Sequence, residues 1–520
     1  MPVHPRTLVA ACAVLLPLAG CSSSEQRPTT ETSPPAALTP PAEGAPVPAT
    51  MACDEPTGTV HYVSPSGDDD AGDGSSASPW QTLAKAAAAA EPGDGVYLMD
   101  GTFHEPLLPP RSGAEGAYIT YRADPAASSV VIDGAGLSEL DYGLVELSGV
   151  SWIKLCGLTI RNSAEHGVSV RDTYESPAAH IGLLELTVEA TEVAAIHVED
   201  VSDVVIERNV TRESVSSGIG VWYSARVAVR DNEVVNARND DSRGYNEWIS
   251  IAGVEDFEVA HNELYMQDAD FRGHSAIDVK ESSYRGTVHH NYVHDFPEGG
   301  QIYLDAWEAG LDGSYSLAHV DVFANLLVDA KGITVGSEQG GTAEHIRIFN
   351  NVILRSVSSG VLLSDTGRGD GGNGPRRNIH IFNNTISDTR NHGTSGIYLL
   401  STHIENVVIQ NNVVSLPPDR VVGLITAGSD HAVGQITVDH NLVFGPTECS
   451  NDYPSCAELS GREGNVTTDP RFVDSAAGDL HLQADSPAID AGIAIDGLVD
   501  DFDGTARPQG SAVDIGAYEG

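Results

Sequence analysis

The sequence is poor in basic residues, in aromatic residues and in long apolar segments. Of its 520 residues, 28 are Lys or Arg and 74 are Asp or Glu, so the formal net charge is −46. Such a surface repels polyanions, which argues against nucleic acid as a partner. Aromatic residues make up 6% of the chain while Gly occupies 53 positions, a balance typical of a β-rich protein with many turns. Lysine is rare enough that any lysine in a cleft is conspicuous.

The N-terminus carries a secretion signal. Residues 1–20 contain one basic residue, Arg6, followed by an apolar run that is too short to span a membrane, which needs about 20 apolar residues. The letters LAGC at 18–21 resemble the lipobox of bacterial lipoproteins. This resemblance implies lipidation of Cys21 and anchoring in the bacterial cell envelope, facing the periplasm or the exterior. Residues 21–56 are rich in Pro, Thr and Ser and predict a disordered tether.

Four further cysteines are left for the folded part. An even number of cysteines in an oxidising compartment favours disulfides. Cys449 and Cys456 lie in one short segment and are predicted to pair, which leaves Cys53 and Cys156 as the second pair. Four free thiols are the alternative.

The middle of the chain repeats itself. A V-x-x-N-x-V pattern returns every 23 to 34 residues, and a second apolar segment follows each copy. Both segments alternate with period 2, so each is a short strand, and too few residues remain for crossover helices. Such a unit buries its apolar face only by stacking on the next copy, which predicts a parallel β-helix with the asparagines in a ladder at one bend. The asparagines are Asn209, Asn232, Asn262, Asn291, Asn325, Asn351, Asn384, Asn412 and Asn441.

The two ends of the repeat region strengthen this interpretation. An alanine-rich segment within 79–103 predicts a helix that caps the coil. The segment YVSPSGDDDAGDG from residue 62, the N-x-V turns and the closing DFDGTARPQGSAVDIGAYEG resemble bacterial pectate-lyase-like right-handed parallel β-helix proteins. The resemblance implies an all-β solenoid with an N-terminal capping helix. The expected divisions are a cap with first turns at 57–135, the β-helix at 136–445 and a C-terminal cap region at 446–520.

Members of this family include polysaccharide lyases and glycoside hydrolases, so the resemblance implies a monomeric extracellular protein whose partner is a polysaccharide. Two catalytic hypotheses and one non-catalytic hypothesis follow. The protein is a lyase, a hydrolase, or a surface protein that binds glycans or forms a stalk.

Aligning the second strand of each turn predicts columns of outward side chains about 4.8 Å apart. The middle turns then bring Asp278, Lys280, Tyr303 and Asp305 onto one patch that faces water. The full columns are Ser169, His197, Gly220, Ser250, Asp278, Tyr303, Thr334 and Leu362, and beside them Arg171, Glu199, Trp222, Ala252, Lys280, Asp305, Gly336 and Ser364.

The patch admits both chemistries. In the lyase hypothesis Lys280 is the base that removes the C5 proton of a uronic acid, as the resemblance implies, and a calcium ion neutralises the substrate carboxylate. The predicted calcium ligands are Glu247, Asp268 and Asp270. In the hydrolase hypothesis Asp278 and Asp305 lie on a diagonal of about 8 Å and act as acid and base of an inverting glycosidase. An ion pair between Lys280 and Asp305 is the structural alternative.

Substrate contacts are predicted beside the same patch. Trp222, Tyr303 and Trp307 are candidates for stacking on sugar rings, whose apolar faces pack on aromatic planes. His274 and Glu338 lie in or next to the segments that flank the strands and are expected to line the walls of the cleft.

Overall fold

Three long parallel sheets wind around one apolar core as a right-handed β-helix. The structure is a computed structural model. It describes residues 44–173, 175–237, 247–268, 275–307, 316–337, 339–364, 374–390, 395–417, 424–427, 435–445, 457–459 and 461–520. The predicted signal peptide and Cys21 lie outside these residues, as do Cys449 and Cys456.

Each full turn contributes one strand to each of the three sheets. The strands of sheet 1 are Val60–Val63, Gly95–Leu98, Ile119–Ala123, Ile153–Cys156, Ala179–Leu184, Ser202–Glu207, Ala225–Arg230, Glu255–Ala260, Tyr284–His289, Ser316–Phe323, Thr342–Phe349, Arg376–Phe382, Ile404–Gln410 and Ile436–Asp439. The strands of sheet 2 are Gly101–Phe103, Val130–Asp133, Thr159–Arg161, Thr187–Glu189, Val210–Arg212, Glu233–Val235, Glu263–Tyr265, Tyr292–His294, Leu326–Val328, Val352–Ser356, Thr385–Thr389, Val413–Ser415 and Leu442–Phe444.

Sheet 3 is the third face of the coil. Its parallel strands are Gly143–Ser148, His166–Arg171, Ile196–Glu199, Ile219–Trp222, Ile249–Ala252, Ser275–Lys280, Gln301–Asp305, Ile333–Gly336, Val361–Leu363, Ile397–Leu399 and Ile425–Ala427. The strand Ala457–Glu458 pairs antiparallel with the last of them. A separate hairpin is formed by Phe472–Asp474 and Asp479–Leu482. Along each strand of sheet 3, every second residue points inward. Ile249 and Ile277, which pair across two neighbouring strands, are examples and are fully buried.

The predicted asparagine ladder is confirmed. It fills the bend between sheets 1 and 2, where Asn209 Nδ2 donates to Asn232 Oδ1 at 2.9 Å and Asn232 Nδ2 donates to Asn262 Oδ1 at 2.9 Å. The ladder runs one step further than the sequence pattern indicated, because Asn441 Nδ2 donates to Asn465 Oδ1 at 3.1 Å. The first repeat pattern therefore spans two strands, with the asparagine lying in the bend between them.

The capping helix predicted within 79–103 is also confirmed and spans Leu83–Ala89. Thr82 caps its N-terminus by accepting from the backbone N–H of Lys85 at 3.2 Å, and Asp69 accepts from the Thr82 hydroxyl at 2.6 Å. Leu83 and Ala86 join the core of the coil, so the helix covers apolar surface at the N-terminal end. Among the described residues no helix is both long and apolar enough to cross a membrane.

Residues 44–56 differ from the disordered tether predicted over 21–56. This segment lies along the outer face of sheet 1, where Lys154 Nζ donates to Ala52 O at 2.8 Å and Arg208 Nη2 donates to Met51 O at 2.8 Å. A disulfide joins Cys53 to Cys156, which confirms that predicted pair. The composition of the segment predicts disorder because the segment has few apolar residues of its own to bury. The side chains that hold it in place belong to sheet 1, so the segment's own composition does not reveal them.

Candidate functional site

The strand register confirms the predicted alignment of sheet 3. Ser250 pairs with Asp278, Asp278 with Tyr303 and Tyr303 with Thr334. In the neighbouring column Ala252 pairs with Lys280, Lys280 with Asp305 and Asp305 with Gly336. Asp278, Lys280, Tyr303 and Asp305 therefore lie on the same outer face of two adjacent turns.

The expectation that this patch faces open water is wrong. Asp278, Tyr303 and Asp305 are each 3% exposed, and Ser250 is fully buried. One cause is Glu247, which enters the strand Ile249–Ala252 with its own side chain buried and folds over the neighbouring turn. The side chains point out of the coil, yet only a small fraction of each is exposed to solvent.

Lys280 forms an ion pair with Glu247. The structural alternative had named Asp305 as its partner. Lys280 Nζ lies 3.0 Å from Glu247 Oε2. Burial by itself lowers the pKa of Lys280, but the negative charge of nearby carboxylates, Glu247 foremost, outweighs it and raises the pKa above the ordinary value. Lys280 is therefore a buried ammonium ion at neutral pH.

Asp278 has the opposite character. Burial, the charge of Glu247 and a hydrogen bond to Glu247 raise the pKa of Asp278 well above that of an ordinary aspartate, although Lys280 opposes the shift. Asp278 therefore holds its proton to a higher pH than an exposed aspartate does. Its Oδ1 and the Ser250 hydroxyl are buried without a hydrogen-bond partner among the described residues. A buried, protonated carboxyl next to unpaired polar atoms is a typical arrangement for a proton donor.

The described residues do not gather the predicted calcium ligands. Glu247 is paired with the Lys280 ammonium, whose charge repels a cation. Asp268 follows a strand of sheet 2, where its backbone N–H donates to Asn236 Oδ1 at 3.2 Å, and Asp270 lies outside the described residues. No three acidic side chains of the site, within the described part, bring their oxygens within 4.8 Å of one another. The calcium site stays a prediction, and no chemical step is derived through it.

The aromatic residues predicted to stack on sugar are placed differently from one another. Trp222 is 37% exposed, and its ring meets the edge of His197 with centroids 5.4 Å apart. Trp307 is half-buried. Tyr303 is buried over Gly336, where a Cβ atom would lie 2.4 Å from Tyr303 Oη, so its ring is covered instead of open. His274 and Glu338 lie outside the described residues.

Sequence reasoning missed an exposed aromatic residue beside Trp222. Tyr223 directly follows Trp222 at the end of a strand of sheet 3 and is 51% exposed. Its backbone has a positive φ of 49°, which turns the chain out of the strand. The adjacent letters WY were the available signal, but strand alternation placed only the first of them on the outer face.

Comparison with known proteins confirms the resemblance found in the sequence. Residues 61–245 match the family model described as Pel9A-like, right handed beta helix region. The solved structure of XylC in complex with xylose is 12% identical, covers 88% of this chain and 98% of its own, and superposes with a TM-score of 0.50. A crystal structure of pectate lyase Pel9A is 16% identical, covers 89% and 96%, and has a TM-score of 0.44.

One curated protein is also similar. The uncharacterized protein YwoF of Bacillus subtilis is 26% identical in an alignment 484 positions long that covers 84% of this chain and 94% of YwoF. The family model and the likeness to XylC support the right-handed β-helix fold. The family match ends at residue 245, so the cluster around Asp278 lies beyond it.

Proposed function

We propose that this protein is a glycoside hydrolase that cleaves a polysaccharide outside the cytoplasm, with Asp278 as its general acid. The observation that carries this proposal is the buried cluster of Glu247, Asp278, Lys280 and Asp305, in which Lys280 pairs with Glu247, and burial and the neighbouring carboxylates raise the pKa of Asp278. Polar groups buried at such cost on the outer face of a solenoid favour a catalytic role over a structural one.

Hydrolysis of a glycosidic bond needs one group that gives a proton to the leaving oxygen and one carboxylate that activates water. Asp278 is suited to the first role because its raised pKa keeps the proton available. Asp305 is one turn and two residues away on the same face. Strand spacing and rise separate the α-carbons of the pair by about 8 Å, and inverting enzymes hold their two carboxyl groups about 6.5–9.5 Å apart. Water then attacks the anomeric carbon as Asp278 protonates the departing sugar oxygen, and Asp305 takes the proton of the water.

Lys280 favours hydrolysis over β-elimination. A lysine that removes the C5 proton of a uronic acid must be neutral before it reacts. The ion pair with Glu247 and the other nearby carboxylates hold Lys280 in its charged form instead. In the hydrolase the ammonium has a positioning role, since it partly balances the negative charge that Asp305 and Glu247 place around Asp278.

The substrate proposed here is neutral or esterified. With a formal net charge of −46, the protein repels a free polyuronate. The exposed ring of Trp222, on the same sheet as Asp278, and the exposed ring of Tyr223 directly after that strand offer aromatic planes on which sugar rings stack. The secretion signal and the lipobox at 18–21 support a location at the cell envelope, where such polymers are met.

The test is a panel of xylan, methyl-esterified pectin, polygalacturonate and alginate incubated with the purified protein. Reducing ends and the absorbance of unsaturated uronates are measured together, with and without a chelator. We expect new reducing ends from a neutral or esterified polymer, without unsaturated product. Unsaturated product would overturn the proposal in favour of a lyase. Binding of a polymer without any product would favour the non-catalytic hypothesis.

A further inference from the structure

Three histidines come together at the bend between sheets 1 and 2, on a different face from Asp278. They are His261, His289 and His290, and each offers a ring nitrogen within 4.8 Å of the others. His261 and His290 are exposed, while His289 is half-buried. Nothing in the activity proposed above involves these residues.

The backbone brings the three rings together. His261 and His290 each precede a ladder asparagine, and both have a positive φ, 56° and 53°. The ladder bond from Asn262 Nδ2 to Asn291 Oδ1, 2.9 Å, fixes the two bends directly above one another. As a result the rings of His261 and His290 lie 4.9 Å apart between centroids.

His289 is the last residue of the strand Tyr284–His289, next to the bend. Its ring packs flat on Phe323 of the following turn, with centroids 4.6 Å apart and a 12° angle between planes. Its Nδ1 lies 2.8 Å from His290 Nδ1, so these two nitrogens face each other.

Glu258 fixes the orientation of His289 from the other side. Glu258 Oε1 lies 3.0 Å from His289 Nε2, and Arg230 Nε donates to Glu258 Oε2 at 2.7 Å. In a neutral ring whose Nε2–H donates to Glu258, Nδ1 carries the lone pair. A carboxylate behind one ring nitrogen, with the other nitrogen aimed at further imidazoles, is the arrangement that orients histidine ligands of zinc.

We propose that His261, His289 and His290 bind a transition-metal ion of the zinc class, with Glu258 as the positioning residue behind His289. Imidazole nitrogen is a preferred ligand for Zn²⁺, whereas calcium and magnesium prefer oxygen. Zn–N bonds of about 2.0–2.1 Å at tetrahedral angles separate two ligand nitrogens by about 3.3 Å. The 2.8 Å between His289 Nδ1 and His290 Nδ1 needs to open by about half an ångström to reach that separation. Exposed rings reach it by rotating about their side-chain torsions within nanoseconds.

Such a site has a structural consequence. His261 belongs to one turn of the coil, and His289 and His290 belong to the next. A bound ion therefore links two consecutive turns from outside, at the same bend that the asparagine ladder links from inside. Three protein ligands leave a fourth position for water.

The experiment is titration of the purified, chelator-treated protein with Zn²⁺ in isothermal calorimetry, with nitrilotriacetate as competitor to suppress weak sites. We expect one ion per chain for the wild type. The double variant His261→Asn with His290→Asn keeps residues that tolerate positive φ and is expected to lose the site, with at least about 100-fold weaker binding. Glu258→Gln keeps all three ligands and is expected to bind about 10–100-fold more weakly.

The control is His440→Asn, which changes a histidine at the equivalent position before Asn441, with φ of 52° and no second histidine across the bend among the described residues. It is expected to bind zinc as the wild type does. Co²⁺ bound to the wild type gives a second measurement that needs no variant, because imidazole ligation produces visible d–d absorption. No stoichiometric zinc or no cobalt spectrum in the wild type, retained binding in the double variant, or an equal loss in His440→Asn would each overturn the proposal.

Discussion

The substitution Asp278→Asn separates catalysis from folding at the proposed site. Asn keeps the size of the side chain and its position opposite Tyr303, but it has no proton to transfer. General acid catalysis contributes about 10²–10⁴-fold, so kcat is expected to fall by that factor. This corresponds to about 2.7–5.4 kcal/mol of transition-state stabilisation at about 1.36 kcal/mol for each tenfold change.

The assay compares two substrates of the glycosidase. The natural polymer has a poor leaving group that needs the proton, while an aryl glycoside with an acidic phenol does not. Asp278→Asn is therefore expected to slow the polymer strongly and the aryl glycoside weakly. The control is Asp321→Asn, a buried aspartate on the outer face of sheet 1 that is bound by Arg347, and it is expected to leave both rates unchanged. Equal losses on both substrates would refute the role of Asp278 as an acid.

The same variant has a predicted effect on stability. Asp278 has a folded-state pKa raised above its unfolded value, chiefly by burial, so the folded protein binds this proton more tightly. Below the unfolded-state pKa, Asp278 is protonated in both states and its titration does not affect stability. As pH rises from there to the folded-state pKa, the free energy of unfolding falls, because the unfolded state loses this proton first. Asn does not titrate, so the free energy of unfolding of Asp278→Asn is expected to rise relative to the wild type as pH increases. Denaturant unfolding at a series of pH values measures this difference, and a difference that is flat or falls with pH would contradict the argument.

Three other predictions concern the scaffold and the cleft. Asn384→Leu breaks buried bonds, including 2.8 Å to a backbone carbonyl and 2.9 Å to the next ladder amide, and is expected to lower the free energy of unfolding by about 2–5 kcal/mol in denaturant titration. Replacing Cys53 and Cys156 by Ser opens a loop of 103 residues and is expected to cost about 2–4 kcal/mol by the same assay, while added reductant should not affect the variant. Trp222→Ala is expected to raise KM with little change in kcat, whereas Tyr292→Ala, also 37% exposed but on sheet 2, should change neither.

Much of the fold was predictable because solenoid physics is local and periodic. Each asparagine of the ladder is required by the same bend, so its spacing in the sequence gives the length of every turn and the register of the strands. That register places Asp278 and Lys280 correctly above Tyr303 and Asp305. Strand periodicity assigns each side chain to the inner or the outer face, and this assignment holds across the middle turns.

Burial of the outer face was not predictable in the same way. Alternation shows that Asp278 points outward, but its burial depends on contacts from residues outside the repeat, which follow no period. Glu247 is the clearest case: the sequence indicated a carboxylate near the cleft, while its contact with Lys280 depends on the path of the chain into the strand. Tyr303 was predicted as an open platform for the same reason, and it is covered.

The histidine cluster was within reach of the sequence and was missed. A histidine precedes a ladder asparagine at 261, 290 and 440, and the ladder places the first two in consecutive turns. A ladder of structural asparagines gives no reason to expect function from the residues beside it, although these residues also form a column. Glu258 had no such signal, because its contact with His289 joins strands of two different turns.

The energetics of the cluster around Lys280 support function over architecture. A solenoid of this kind is held by its apolar core and its ladder, and neither requires Lys280 or the carboxylates around it. Replacing a buried ion pair by apolar residues is often neutral or stabilising, whereas removing one partner costs about 3–5 kcal/mol. Lys280→Met alone is therefore expected to destabilise the protein, because Glu247 stays buried without its ammonium. Replacing Glu247, Asp278, Lys280 and Asp305 together by apolar residues of similar size is expected to restore stability while abolishing hydrolysis. A fully apolar version that is as unstable as Lys280→Met would instead assign the cluster to the fold.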